Sequence, residues 1–164
     1  MNEPRVRPVA AADRPTIERL WQLFVHDLSE FRGTLPGLDG AFATQRLRPA
    51  FEDPGWAAHL VTSGDHGVGL AIVRGLDGPV RVMNAFFIVR GARRTGISLP
   101  AVRQVLAHYP GRWEIPFQDN NTIAARFWQR VAQDVAPDAW TREHRPVPNR
   151  PDVPPDTWIC FTAP

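Results

Sequence analysis

Apolar side chains recur at Ile17, Leu20, Trp21, Phe24, Val25, Leu28 and Phe31, the spacing of one face of a helix. Asp13 can cap that helix, Pro15 suits its first turn and Gly33 closes it. Ile97 to Tyr109 predicts another helix, with Val102, Val105, Leu106 and Tyr109 inward. Residues 120–135 predict a third, with Ile123, Ala124, Phe127, Trp128, Val131 and Val135 on one face and Asn120 or Asn121 as cap. Strand patterns lie between them. Arg5–Val9 alternates; Trp56–Ser63 and Gly67–Gly75 flank a turn; Val80–Val89 is a long apolar run. Arg112–Phe117, Ala139–Arg145 and Thr157–Ala163 complete the set, and residues 41–53 predict a short helix broken near Pro49.

The order is strand, one or two helices, three strands, helix, strand, helix, two strands. The strands on either side of the Ile97–Tyr109 helix must be parallel, because a strand–helix–strand connection is a crossover. The other neighbours can pair as hairpins, which predicts a mixed α/β sheet with helices on both faces. No repeat or linker divides residues 1–164, so a single domain is expected.

Hydrophobic residues make up 43% of the 164 residues and net charge is +2, ordinary for a globular chain and no invitation to a polyanion. No nucleic-acid partner is expected, since the arginines are spread evenly and form no basic stripe. No apolar run is long enough for a membrane span and the first residues lack a signal-peptide core, so no membrane contact and a cytoplasmic location are expected. One cysteine, Cys160, leaves no internal disulfide, and the five histidines show no ligand spacing, so no metal is expected. All 19 basic side chains are arginine, which excludes lysine Schiff-base chemistry and a P-loop lysine.

The loop after the long strand carries the chemistry. Arg90, Arg93 and Arg94 surround Gly91 and Gly96 just before a helix begins. A helix N-terminus offers unpaired N–H groups and a positive dipole end, glycine permits close approach, and arginine supplies forked donors for a diphosphate. Neither a dinucleotide fingerprint nor a P-loop is present. Glycine turns before helices are also common without any ligand.

Two motifs on these elements resemble the GCN5-related N-acetyltransferase (GNAT) superfamily. Its acyl-CoA loop has Gln or Arg, two residues, Gly, one residue, then Gly or Ala; Arg93-Arg-Thr-Gly96-Ile-Ser98 fits except at the last position. Its next signature fits at Asn121-x-x-Ala124-x-x-Phe127-Trp128. His26–Phe31 together with "PGRWEI" and "ARFW" is similar to a bacterial branch of predicted acetyltransferases. The resemblance implies a mixed, mostly antiparallel sheet of about seven strands with a central splayed parallel pair. It implies acetyl-CoA as co-substrate, with Phe86, Phe87 and Ile88 along the pantetheine arm and thioester and Ile88 as backbone oxyanion donor. Arg93, Arg94, Thr95, Gly96, Ile97 and Ser98 would hold the diphosphate, and Asn121, Phe127 and Trp128 would border the cofactor. The acceptor would be a primary amine of a small molecule or peptide, with the chain single or a homodimer.

Two departures stand out. Ser98 occupies a Gly or Ala position, and Trp128 replaces the tyrosine that many members use to protonate the leaving thiolate. The only tyrosine, Tyr109, lies at the far end of the preceding helix, so water or no dedicated acid is expected. Glu30 and Asp27, three apart on the first helix beside His26, are the candidate bases, against a solvated helix face balanced by Arg32. Glu114 is a weaker candidate; His59 and His144 are strand histidines that could face the cleft; Trp140 and Trp158 could wall the acceptor pocket. The alternative to an enzyme is a non-catalytic acyl-CoA-binding sensor or regulatory module.

Overall fold

A computed structural model describes residues 3–164. The strands are β1 (Pro4–Pro8), β2 (Trp56–Ser63), β3 (His66–Arg74), β4 (Val80–Ile88), β5 (Gly111–Gln118), β6 (Thr141–Arg145) and β7 (Asp156–Ala163). The helices are α1 (Arg14–Arg32), α2 (Pro49–Glu52), α3 (Arg90–Arg93), α4 (Ser98–His108) and α5 (Thr122–Val135). The strands form one seven-stranded sheet in the order β1-β2-β3-β4-β5-β7-β6. Only β4 and β5 run parallel, as the crossover through α4 requires.

α1 ends where Gly33 turns left-handed at φ 64°, its N–H bonded to the Ser29 carbonyl. The second helix begins at Pro49 rather than breaking there, because proline's missing N–H costs nothing in a first turn. The arginine-bearing loop is not wholly irregular: residues 90–93 wind one helical turn, α3, which the sequence pattern did not predict.

Each face of the sheet has its own core. On one, α4 and α5 share a core with β1 to β5 and β7, with Val102, Val105 and Val131 in one cluster with Val73, Trp113 and Ile159. On the other, α1 and α2 bury Ile17, Leu20 and Trp21 only against β2, β3 and β4, through Leu60, Leu70, Ile72 and Phe87. The β5–β7–β6 half of that second face has no helix in its core cluster. The sheet therefore carries an open floor beside the end of α1, and Arg32 spans to it through an ion pair with Asp156 at 2.5 Å.

His59 does not reach this floor. It is fully buried under α4, with Nε2 3.1 Å from the Tyr109 hydroxyl and Nδ1 without a hydrogen-bond partner among the described residues. Burial, with a smaller push from His108, lowers its pKa to about 4. The unfolded chain takes up this proton near pH 6.5, so between those values the unfolded state binds more protons. The stability His59 contributes is complete above pH 6.5 and is lost as pH falls through 4, about 3 kcal/mol in all. Urea unfolding at pH 7 and 4.5 should show most of this loss in the wild type and a much flatter profile in His59→Gln. Equal losses in both proteins would exclude His59 as the source.

Candidate active site

β4 and β5 pair only at Val80–Arg112, Arg81–Trp113 and Val82–Glu114. Just past that point β4 gains an extra residue: Ile72 opposes Ala85 but Val73 opposes Met83, so Asn84 is bulged. A bulge bends its strand, and from here β4 and β5 no longer pair.

The direction of the freed groups follows from alternation. The Val89 N–H bonds to the Val68 carbonyl, on the β3 side. Phe87 also faces β3, since a Cβ on Gly69 would come within 2.2 Å of its carbonyl oxygen. Ile88 and Phe86, at the alternate positions, direct N–H and C=O away from β3 into the opening. Arg93 Nε donates to the Ile88 carbonyl at 2.7 Å, which confirms that side. The result is two backbone donors at the mouth of a V-shaped gap in the middle of a sheet.

Beyond β4 the chain turns through α3 and reaches Gly96 at φ +87°, a conformation that favours glycine. Gly91, by contrast, has ordinary φ and open space around it. α4 starts at Ser98 with no side-chain cap at Ile97, and Pro100 lies within its first turn. The first intrahelical donation comes from Ala101 to Ile97. The amides at this end, Ile97 to Leu99, are the donors such a helix leaves for an anion.

The three arginines divide. Arg90 Nη2 and Arg93 Nη2 both donate to Asp27 on α1, the former at 2.9 Å. The Arg93 guanidinium also lies 5.4 Å from the centre of the Phe87 ring. Arg94 is exposed and is paired with no carboxylate among the described residues. Only Arg94 is therefore free to meet an anion in front of α4.

On the α4/α5 face, Phe86 stacks on Phe127 with centroids 5.7 Å apart and planes 8° from parallel, and Trp128 meets both rings edge-on. These rings wedge the space under the divergence of β4. The Asn121 side-chain oxygen accepts the Ala124 N–H at 3.1 Å and caps α5, so its place in the second motif has a structural cause.

On the open floor, Arg145 donates to Glu114 at 2.7 Å and also binds Glu143, with its guanidinium 4.5 Å from the Trp158 ring centre. Hydrogen bonds from Arg145 hold the Glu114 carboxyl below the usual range, although burial opposes them. Burial raises the Asp27 carboxyl, but hydrogen bonds from Arg93 and Arg90 outweigh it and leave the pKa lowered. Glu30, one turn beyond Asp27, is exposed and makes no hydrogen bond or ion pair among the described residues. Trp158 lies on the floor, beneath the Arg145 guanidinium. Trp140 is not on the floor: it packs with the α5 core and donates to Gln133. His144 is exposed, 3.8 Å from Asp119. Cys160 is buried, and burial pushes its thiol pKa up, which is unfavourable for a nucleophile. Among the described residues no group of His, Cys, Asp and Glu could hold a metal ion, and no helix is long and apolar enough to cross a membrane.

A sheet of this order, with one parallel pair that splays in front of a glycine turn and a helix N-terminus, matches the GNAT fold. No protein-family model matches the chain, and no curated protein matches it by sequence. Solved structures do. An acetyltransferase from Thermus thermophilus is 20% identical, with a TM-score of 0.70 over 98% of this chain and 97% of that one. A putative acetyltransferase of the GNAT family from Bacteroides thetaiotaomicron is 12% identical, with a TM-score of 0.64 over 98% and 88%. Spermidine N-acetyltransferase from Vibrio cholerae, solved with CoA and spermine, is 10% identical, with a TM-score of 0.68 over 98% and 96%. The likeness spans the whole described sheet at low identity, and it is a likeness of fold.

Proposed function

We propose that this chain transfers the acetyl group of acetyl-CoA to a primary amine of a small molecule or peptide. The observation that carries the reading is the gap after Val82, with the Phe86 and Ile88 N–H groups aimed into it and the N-terminus of α4 beyond. Acetyl-CoA would supply the activated thioester. The β4 backbone at Phe86, Phe87 and Ile88 would flank the pantetheine arm, and the amides from Arg93 to Ser98 would receive the diphosphate, with Arg94 adding permanent charge. Phe127 and Trp128 support that wall through Phe86. Ser98 is small enough to preserve the close approach that Gly or Ala would allow.

The Ile88 N–H would hold the charge that develops on the acyl oxygen. Glu30 would accept the amine proton, directly or through water, as the C–N bond forms and the C–S bond breaks. It is favoured over Asp27 and Glu114 because both of those carboxylates are held by arginines and so are weaker bases. The departing thiolate would take its proton from water. Trp128 has no acidic group to offer, and Tyr109 is bonded to His59 at the far end of α4.

Thermal unfolding with and without acetyl-CoA tests the donor. A ligand at 100 times its Kd adds about 2.7 kcal/mol of stability, which for a chain of this size is a rise in Tm of roughly 5–11 °C. No stabilisation by any acyl-CoA would reject the reading. The missing phenol favours one alternative, an acyl-CoA sensor without turnover. Thiol release over a panel of polyamines, amino sugars, amino acids and peptides separates the two, since a sensor would bind and release nothing.

A further inference from the structure

Asp27 and Arg93 do more than pair charges. The Ile88 carbonyl points into the gap, on the side where β5 has stopped supplying a strand partner. Arg93 Nε fills that role at 2.7 Å, while Nη2 of the same guanidinium is held by Asp27 Oδ2. Arg90 holds the other carboxylate oxygen, with Nη2 at 2.9 Å and Nε at 3.2 Å. The guanidinium lies over Phe87, whose ring meets Phe24 of α1 at 6.0 Å. A continuous chain of contacts therefore runs from the late turns of α1 to the last residues of β4.

We propose that Asp27 and Arg93 are positioning residues, a couple that replaces the missing strand partner and holds the Ile88 peptide groups in register at the mouth of the gap. The proposal rests on the acyltransferase reading. It assigns the Asp27 carboxylate to orienting Arg93, and the acceptor-side helix thereby sets the geometry of the donor strand. β3 holds this strand end from one side only, through Phe87 and the Val89 N–H. A second hold from Arg93 on the Ile88 carbonyl fixes the tilt of the adjoining N–H, and an oxyanion donor acts only from a fixed direction.

The test reads Ile88 directly. Protein labelled with 15N-isoleucine is titrated with acetyl-CoA, and the Ile88 amide resonance is identified by its loss in Ile88→Val. In the wild type it should shift on titration. In Asp27→Asn and Arg93→Ala it should start from a different position and half-saturate at concentrations at least about tenfold higher, the scale of one charge-assisted hydrogen bond. The Ile17 and Ile159 resonances should stay in place. Arg93→Lys keeps the charge but cannot fork to both partners, and it should not restore the wild-type position. If Asp27→Asn and Arg93→Ala leave the Ile88 resonance and half-saturation unchanged, or lower only Tm, the proposal is overturned. Should Arg93→Ala fail to fold, Asp27→Asn carries the same two outcomes in a nearly isosteric side chain. A wild-type Ile88 resonance that ignores acetyl-CoA overturns the acyltransferase reading instead.

Discussion

Gly69→Ala is expected to cost this protein about 3 kcal/mol, the upper part of the range for overpacking a core. The added methyl would lie 2.2 Å from the Phe87 carbonyl oxygen and 2.7 Å from Ile88 Cδ1. The first of these atoms belongs to the backbone of a central strand and cannot swing aside, so β3 and β4 must separate. The separation falls at the two residues that border the gap, and acetyl-CoA affinity should drop together with stability. Chemical denaturation gives the comparison, with Gly91→Ala as control. Gly91 has no neighbour within 4 Å of its added Cβ and lies in a helical turn, where alanine should be neutral or stabilising by up to about 1 kcal/mol. A Gly69→Ala midpoint indistinguishable from wild type would mean that the strands tolerate the methyl and that close approach is not required here.

Glu30→Gln is expected to lower kcat by about a hundredfold or more once an acceptor amine is in hand, the usual contribution of a positioned base. KM for acetyl-CoA should change little, because the proposed reading assigns Glu30 to the acceptor amine rather than to the cofactor. The substitution keeps size and hydrogen bonding and removes only the proton-accepting charge. The dependence of the residual rate on the amine's own pKa should steepen, since substrate must then arrive neutral. If Glu30→Gln turns over normally at neutral pH, the amine loses its proton to bulk water and Glu30 has no catalytic part.

Much of the frame was legible in the chain because it is written in local patterns. The helical stripe from Ile17 to Phe31 emerged as α1, and Trp56–Ser63 emerged as β2 with the same ends. The strand–helix–strand crossover was enough to place the parallel pair, and Gly96 marked the turn, which takes a positive φ. The four-residue α3 escaped notice because a single turn has no periodicity to detect, although Arg90 and Arg93 stand three apart and share one face. The bulge at Asn84 was also hidden, because it depends on how β3 registers against β4. The roles of the carboxylates were the least visible of all. Asp27 finds its arginines more than sixty residues away, and Glu114 finds Arg145 across two strands. Which acid remains free is decided by such distant pairings, and no spacing rule reaches them.

Arg90, Arg93 and Arg94 stand at the turn beyond the gap, Arg32 and Arg145 reach the floor beside it, and the chain has no lysine anywhere. A guanidinium stays protonated throughout the accessible pH range and offers no lone pair to an acyl group. A lysine in any of these places would be an ε-amine within reach of an activated acyl donor, and therefore a competing nucleophile. On the acyltransferase reading, arginine lets positive charge gather near the thioester without presenting a side-chain amine to be consumed by it. The acceptor amine then competes with no ε-amine of the chain itself.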